Sequence, residues 1–365
     1  MIDDKDRNEK IGVYHQLLIN GNDFDYIDMK YSMLPEYLYH YHSQENISLL
    51  VDMIKSGVFT LRLSSPFEFN DPFDSRLPIE IKREKFREYL IMDLIEKIKA
   101  EKEDFVDLHT LLERDCEKFK TIDSWKEFCY YYQELWSRYS NKGFMFVRFL
   151  EDEDKEYERQ KKQYLEHIDK LRAHLGIACL SEDKHNELLW GLYASNYKGF
   201  CLEYTHDNLH KLAKRYSFEP VYYTNERYNL LEIEIKAGVR KGINNHSIKA
   251  FKEIKYSLCR KSKAWEHEKE WRFIEISPNI NNENKRIVEL PISGIYLGSE
   301  MSEDDEYRIR NALKKAKLDI PVKRICLAEA EYKLYDTDVK PLDQLKKSCH
   351  KKLRGLKLFG KSIHR

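Results

Sequence analysis

The stretch LYHYHSQENISLLVDMIKSGVFTLRL, residues 38–63, predicts a strand, a helix and a second strand in succession. Its first five residues alternate between two kinds of side chain, which is the period of a β-strand. Residues 46–56 carry apolar side chains at helical spacing, and Gly57 follows them, where helices commonly end. Residues 58–63 then predict another strand. This order near the start of the chain predicts a fold that combines helices with a sheet.

The alternation in the first strand separates its histidines from its tyrosines. His40 and His42 share one face, whereas Tyr39 and Tyr41 share the other. Two histidines at this spacing can bind one metal ion, but a metal site needs further ligands, and the sequence supplies none at a recognisable spacing. A neutral His ring can instead donate its N–H to a ribose hydroxyl or a phosphate. The alternative is a pair of half-buried strand residues without a binding role.

The composition excludes several classes of protein. Lys and Arg together number 63, as do Asp and Glu, so no net charge draws the chain to nucleic acid or to an anionic membrane. The glycine motifs of P-loop, simple Rossmann and hydrolase-elbow sites are absent, as are HExxH, CxxC and the EF-hand loop. Seven scattered cysteines, a polar N-terminus and no apolar run of about 18 residues favour a cytoplasmic protein with reduced thiols.

Helix and strand patterns are interspersed along the rest of the chain without a regular βαβ rhythm. They predict an α+β fold with a mixed or antiparallel sheet rather than a doubly wound sheet. We expect the core in residues 36–79 and 176–335, and a large α-helical insertion in residues 80–175, where charged and aromatic residues alternate at helical spacing. Residues 1–35 are expected to be a loose polar lead-in. Residues 336–365 form a basic tail that could contact phosphates or simply fray.

A polar loop with aromatic anchors follows the second predicted strand. It has the sequence SSPFEFNDPFD, residues 64–74. Asn70 and Asp71 can hydrogen-bond to nearby backbone, and Pro72 disfavours a helical conformation at Asp71. Such a loop could orient a ligand, or it could simply cap the sheet.

The segment KAWEHEKEWR, residues 263–272, combines acidic, basic and aromatic side chains. In a strand Glu268, Glu270 and Arg272 share one face, with the two carboxylates about 7 Å apart. Like charges this close raise one pKa, whereas the guanidinium lowers it, so either Glu could act as a general base or stabilise a developing cation. The alternative is a surface strand with a Glu–Arg pair worth under about 1 kcal/mol. Two flanking tryptophans favour a built site.

These motifs, in this order, resemble a bacterial family, the domain-of-unknown-function 2971 group. Its pattern runs from a Tyr-x-Tyr strand and a Ser-Pro turn into Asn-Asp-Pro-Phe, through Cys-Leu-Ser, Leu-Trp-x-x-Tyr and Lys-Gly-x-Cys, to Trp-x-x-Glu-x-Glu-Trp-Arg. The matching residues span roughly residues 38–300; they are Tyr39, Tyr41, Ser64 to Asp74, Cys179, Leu180, Ser181, Trp190, Tyr193, Ala194, Lys198, Gly199, Cys201, Trp265, Glu268, Glu270, Trp271 and Arg272. The family name supplies no activity.

Residues 38–63 are also similar to the opening of ADP-ribosyltransferase folds. Those folds begin with a Leu-Tyr-His strand, reach a Ser or Tyr on the second strand, and carry a late catalytic Glu, often as Glu-x-Glu. The order His40, Ser64, Glu270 matches that arrangement. The resemblance implies an ADP-ribosyltransferase-like fold and an enzyme that uses NAD as substrate to modify a macromolecule, as a bacterial toxin or anti-phage effector.

The same resemblance implies a role for particular residues. A Glu beside the ribose can stabilise the oxocarbenium-like cation that forms when nicotinamide leaves, and the ring of Tyr193 or of Phe69 could stack on nicotinamide. The expected site is the catalytic pair Glu270 and Glu268 with an NAD-binding set, namely His40, Tyr41, Ser64, Asn70, Tyr193 and Arg272. This site requires the Glu270 carboxylate and the His40 ring to line one cleft on neighbouring strands.

Two other functions fit parts of the sequence. Asp71, Asp74, Glu80 and Lys82 form a loose Asp…Glu-x-Lys string, which with the basic tail would suit a metal-dependent nuclease. The chain could also be a non-enzymatic sensor or binding module in which the Glu-Trp-Arg strand is only scaffolding. We assign no metal ligands. The expected partners are a macromolecular target and an antitoxin or defence partner.

Overall fold

The computed structural model of the protein describes residues 4–20, 23–75, 127, 130, 153–215, 217–227, 252, 255–276, 287–342 and 345. The chain divides into two compact units. The first comprises residues 1–70, 173–225 and 261–365, and the second comprises residues 71–172 and 226–260. The residues of the expected NAD site lie in the first unit, whereas Asp71 and Asp74 belong to the second.

An eight-stranded mixed sheet organises the first unit. Its strands are β1 (Tyr37–His42), β3 (Leu175–Ser181), β4 (Phe200–Thr205), β5 (Ser217–Pro220), β8 (Glu270–Ile276), β10 (Gly294–Leu297), β11 (Val322–Leu327) and β12 (Leu334–Asp338). They lie in the order β12-β11-β10-β4-β1-β3-β8-β5, and every neighbouring pair is antiparallel except β10 with β11. The expectation of a mixed sheet in a chain that also contains helices is confirmed.

Two short sheets complete the described strands. They pair β2 (Thr60–Arg62) with β9 (Ile287–Glu289), and β6 (Tyr222–Tyr223) with β7 (Arg260–Lys261). The described α-helices are α1 (Asp4–Asn20), α2 (Asp23–Met33), α3 (Ile47–Ser56), α4 (Glu153–Ala173), α5 (Glu187–Leu192), α6 (His206–Arg215) and α7 (Glu303–Ala316). The helix predicted over residues 46–56 is α3, and it ends where Gly57 adopts a φ of 71°, which glycine tolerates because it lacks a Cβ.

The N-terminal segment is helical and packed, in place of the loose lead-in expected over residues 1–35. Tyr14 and Leu18 of α1 are buried, and the Tyr14 hydroxyl donates a hydrogen bond to the carboxylate of Glu219, a buried residue of β5. Of the insertion expected over residues 80–175, the structure describes α4 and two further helical residues, 127 and 130. Of the tail expected over residues 336–365, it describes the end of β12 and the residues up to 345, with gaps.

The two faces of the large sheet carry different side chains. Leu38, Leu202 and Phe273 lie on one face, in the main apolar core with residues of α3 and α7. The opposite face carries a smaller cluster that includes Tyr39, Tyr41, Trp190 and Tyr296, and we call it the tyrosine face. Side chains of paired residues point to the same face of a sheet. Since Tyr39 pairs with Ser181 and with Glu203, and Ser181 pairs with Glu270, all four side chains belong to the tyrosine face.

Candidate functional site

Four charged side chains form a buried group at the start of β8, which we call the paired-glutamate cluster. It consists of Lys261, Glu268, Glu270 and Arg272, none of them more than 9% exposed. Arg272 donates to Glu270 through Nε, at 2.8 Å from Oε1, and through Nη2, at 3.3 Å from Oε2. Lys261 Nζ lies 2.5 Å from Glu268 Oε2 and 3.2 Å from Glu270 Oε2. Two carboxylates and two cations therefore balance in formal charge.

The two glutamates reach this cluster from different backbone conformations. The expected strand over residues 268–276 begins only at Glu270, whereas Glu268 ends a 3-10 helix, Lys263–Glu268. Lys269 between them has a φ of 45°, a left-handed conformation that is uncommon outside glycine. This turn replaces the shared strand face expected from the alternation. It brings the Glu268 carboxylate to Lys261 and leaves Glu270 beside Arg272.

Tyr193 closes the cluster on its less buried side. Its hydroxyl donates to Glu268 Oε1 at 3.0 Å, and its ring is partly exposed. Tyr193 follows α5, whose N-cap residue Asn186 accepts hydrogen bonds from the N–H groups of residues 188 and 189 and donates through Nδ2 to His267 O at 2.5 Å. A cap that also binds the 3-10 helix fixes where Tyr193 lies relative to Glu268.

The two carboxyl groups differ in their affinity for a proton. Burial, and then the neighbouring Glu270 carboxylate, raise the pKa of Glu268 to about 7, although Lys261 and Tyr193 act in the opposite direction. Burial would also raise the pKa of Glu270, but Arg272 and then Lys261 outweigh it and hold that pKa below its usual range. Glu268 therefore titrates near neutrality while Glu270 stays ionised. A pair of carboxyl groups divided in this way can move a proton at neutral pH.

Four of the residues expected at the site lie together, and Tyr41 lies apart from them on the same face. Glu268, Glu270, Arg272 and Tyr193 are in mutual hydrogen-bonded contact through the cluster. The Tyr41 hydroxyl donates to the carbonyl of Asp183 at 2.5 Å, and its ring packs edge-on against Trp190 with centroids 5.3 Å apart. Tyr41 thus supports the loop that leads to α5.

His40 lies on the opposite face of the sheet from Glu270. Its neighbour Tyr39 belongs to the tyrosine face, so the His40 side chain points into the main core, and β3 separates β1 from β8. The His40 ring centroid is 4.3 Å from that of His42, which stacks on Phe200. Burial lowers the pKa of His40 to about 4, so the ring is neutral. The expectation that the His40 ring and the Glu270 carboxylate line one cleft on neighbouring strands is wrong.

The loop at residues 64–70 contacts the cluster through the aromatic ring of Phe69. Ser64 exchanges two backbone hydrogen bonds with Ile177 of β3, at 2.8 and 2.9 Å. Asn70 is exposed. The ring centroid of Phe69 lies 5.9 Å from Arg272 Cζ, within the range of a cation–π contact. Ser64 therefore contributes a sheet contact, and Phe69 contributes the wall beside Arg272.

The nuclease alternative depends partly on residues that the structure does not describe. Asp71 Oδ1 accepts a hydrogen bond from the N–H of Phe73 at 2.9 Å, which is turn chemistry, and Asp74 accepts one from the Ser75 hydroxyl. Glu80 and Lys82 lie outside the described residues. Among the residues described, no group of three His, Cys, Asp or Glu side chains is placed to hold a metal ion.

Two residues that hold the cluster were not predicted from the sequence. Lys261 contacts both glutamates, and the Tyr223 hydroxyl accepts a hydrogen bond from the Glu270 N–H at 2.9 Å. A lysine near a Glu-x-Glu motif carries no distinguishing pattern in a chain with 63 Lys and Arg residues. Tyr223 is separated from the motif by more than forty residues, and it is brought close by the pairing of β5 with β8 and of β6 with β7.

No helix among the described residues has the length and apolar character to cross a membrane.

The chain matches neither a curated protein nor a solved structure. A family model described as "Protein of unknown function (DUF2971)" matches residues 189–273, a stretch that contains Tyr193, Lys261 and both glutamates of the cluster. The resemblance to this family that the motifs predict is therefore confirmed over residues 189–273.

Proposed function

We propose that this chain is an NAD-consuming enzyme of the ADP-ribosyltransferase class, with Glu268 as its acid–base group. The observation that supports this most is the Glu268 carboxyl, whose pKa is raised to about 7 and which lies between Lys261 Nζ and the Tyr193 hydroxyl. An ADP-ribosyltransferase-like fold, a macromolecular acceptor, and action in the cytoplasm as a toxin or anti-phage effector belong to the same proposal.

Transfer of ADP-ribose from NAD to an acceptor requires a carboxylate that can change its protonation state. When nicotinamide leaves, the bond from its nitrogen to the ribose C1′ breaks, the electron pair departs with nicotinamide, and positive charge develops on the ribose. The acceptor then bonds to C1′ and releases a proton. The pKa of Glu268 is about 7, so above that pH its carboxyl is mostly ionised and can take that proton. Lys261 and Tyr193 would orient its two oxygens.

This assignment differs from the one that the resemblance implies. Glu270 is 2% exposed and is engaged by Arg272 and Lys261, so its part would be to keep two cations in place rather than to receive a proton. The partly exposed ring of Tyr193 suits a stacking role beside the reacting group. His40 has no part, because it lies on the other face of the sheet.

The test is NAD turnover by the purified full chain. With labelled NAD and a cell lysate, we expect nicotinamide release and label transfer, and a loss of both in Glu268→Gln. The matched control is Glu275→Gln, the same substitution on β8 but on the opposite face, which should retain turnover. No nicotinamide release by the wild type, or equal release by wild type and Glu268→Gln, would overturn the proposal.

A second candidate is a non-enzymatic binding module. The observation that favours it is the nearly complete burial of Glu270 and Arg272, which are 2% and 0% exposed and satisfy each other by two hydrogen bonds. Such a pair can serve as scaffolding alone. Calorimetry that finds NAD binding without turnover, unchanged in Glu268→Gln, would favour this candidate over the enzyme.

A further inference from the structure

A second polar site lies on the tyrosine face, in a cavity of about 320 Å³ at β1, β4 and β10, which we call the Glu203 pocket. Its wall includes the rings of Tyr39 and Tyr296, the carboxylate of Glu203, and the side chains of Lys184 and Lys323. The volume is near the lower limit of ligand pockets, which run from about 300 to 1,000 Å³. The occupant must therefore be small.

One wall of the pocket is built to meet hydroxyl groups. Glu203 accepts hydrogen bonds from the hydroxyls of Tyr296 at 2.7 Å, Ser293 at 2.9 Å and Tyr39 at 3.3 Å. A carboxylate has about four acceptor positions, so these three donors leave capacity for one more. The Tyr39 oxygen, which donates to Glu203, can also accept a hydrogen bond, as the Tyr296 oxygen does from Lys184. Groups that both donate and accept, as sugar hydroxyls do, complement this wall.

Two lysines, Lys184 and Lys323, also line the pocket, and the carboxylates of Asp336, Asp338 and Glu203 act on Lys323. Asp336 lies 3.1 Å from Lys184 Nζ and 2.8 Å from Lys323 Nζ, so two ammonium groups share one carboxylate. His185 Nε2 is also 2.9 Å from Asp336. Lys184 lies over the Tyr296 ring, 4.6 Å from its centroid, and donates to the Tyr296 hydroxyl at 3.1 Å. Two lysines held at one end of a small pocket suit a phosphate group.

Gly294 keeps the pocket open next to Glu203. A Cβ placed at this position would lie 3.1 Å from Glu203 Oε1, closer than an ordinary van der Waals contact. Any larger side chain would press on the carboxylate and occupy the cavity that Gly294 lines. A side chain at this position would therefore force the Glu203 carboxylate to shift by a few tenths of an ångström.

We infer that the Glu203 pocket binds a sugar phosphate, with the sugar hydroxyls on Glu203 and the tyrosines and the phosphate on Lys184 and Lys323. The pocket is distinct from the paired-glutamate cluster. Glu203 pairs with Tyr39, Tyr39 with Ser181, and Ser181 with Glu270, so three strand spacings, about 14 Å, separate the two sites along the sheet. The inference stands whether or not the cluster is catalytic.

Calorimetric titration of the full chain with ribose 5-phosphate tests the inference. We expect binding that weakens about tenfold or more in Glu203→Gln and in Lys323→Ala, and that is lost in Gly294→Val. Lys315→Ala, which removes an exposed lysine of α7 away from the pocket, should bind as the wild type does. Circular dichroism of each variant separates loss of binding from loss of fold.

Three further ligands show whether the pocket recognises both the sugar and the phosphate, and whether that sugar phosphate is part of a nucleotide. Ribose alone and inorganic phosphate alone should each bind at least tenfold more weakly than ribose 5-phosphate, since each engages one wall. If AMP binds more tightly than ribose 5-phosphate, the sugar phosphate belongs to a nucleotide, and the inference holds. It is overturned if no ribose 5-phosphate binds at up to about 5 mM, if phosphate alone binds as tightly, or if folded Glu203→Gln and Lys323→Ala bind unchanged.

Discussion

We expect the large sheet of the first unit to open far more often in Arg272→Met than in the wild type. Arg272 is fully buried, and two of its nitrogens hydrogen-bond to Glu270, which is itself 2% exposed. Removing one partner of a buried ion pair costs about 3–5 kcal/mol, because the other charge remains in a medium that solvates it poorly. Lys261 stays 3.2 Å from Glu270 and compensates in part, so we expect the lower end, about 3 kcal/mol.

Hydrogen exchange at the amides of β3 and β8 measures this cost where it arises. These strands pair over seven residues, and their amides should exchange through opening of the sheet. A change of about 3 kcal/mol corresponds to opening that is roughly 100-fold more frequent. Circular dichroism should show that the variant is still folded.

An exposed pair supplies the control. Arg62 and Glu68 lie 3.7 Å apart with side chains 65% and 45% exposed, so Arg62→Met should change the free energy of unfolding by no more than about 1 kcal/mol. If Arg272→Met changes the opening free energy of β3 and β8 no more than Arg62→Met does, the buried ion pair does not have the energetic role assigned to it.

Three further predictions follow from single residues. The folded state keeps a proton on Glu268 that the unfolded state releases, so that group's stabilisation is complete below about pH 4.5 and is lost as pH rises to about 7. In chemical denaturation the free energy of unfolding should depend less steeply on pH in Glu268→Gln than in the wild type, and an unchanged slope would contradict the raised pKa. Tyr14→Phe removes one of the hydroxyl groups that donate to the buried Glu219 carboxylate, another being that of Ser217, and should cost about 1–3 kcal/mol in urea unfolding, whereas no change would refute docking of α1. His40→Leu should leave NAD turnover and sugar-phosphate binding unchanged, and loss of either in a folded variant would return His40 to a binding role.

Local patterns predicted the elements that surround the candidate site. Alternation in residues 38–42 predicted β1 and separated its tyrosines from its histidines, and the helical spacing before Gly57 predicted α3. Both depend on contacts between residues close in the chain, which a single sequence records directly. Alternation cannot say which face of β1 carries Glu270 as well, because that depends on the register between strands that are distant in the chain. Tyr39, and not His40, pairs with Ser181, which pairs with Glu270, so His40 lies on the opposite face from the one expected.

The start of β8 shows a second reason why the elements predicted from the sequence differ from those in the structure. The sequence from 268 to 276 alternates as a strand should, yet Glu268 belongs to a 3-10 helix. Ser262 caps that helix through its hydroxyl, and Ser181 donates to the carbonyl of Glu268 at 2.7 Å. Contacts from distant residues thus override the local period. The resulting turn places Glu268 at Lys261 and Glu270 beside Arg272, and burial together with these neighbours raises the pKa of Glu268 and lowers that of Glu270.

Titration of the two carboxyl groups tests the central claim most directly. In protein labelled with ¹³C at the Glu side-chain carboxyls, Glu268→Gln and Glu270→Gln identify the two resonances. We predict that the Glu268 resonance titrates with a pKa of about 7, while that of Glu270 shows no transition between pH 5 and 9. Two carboxyl groups that both titrate below pH 5 would contradict the account.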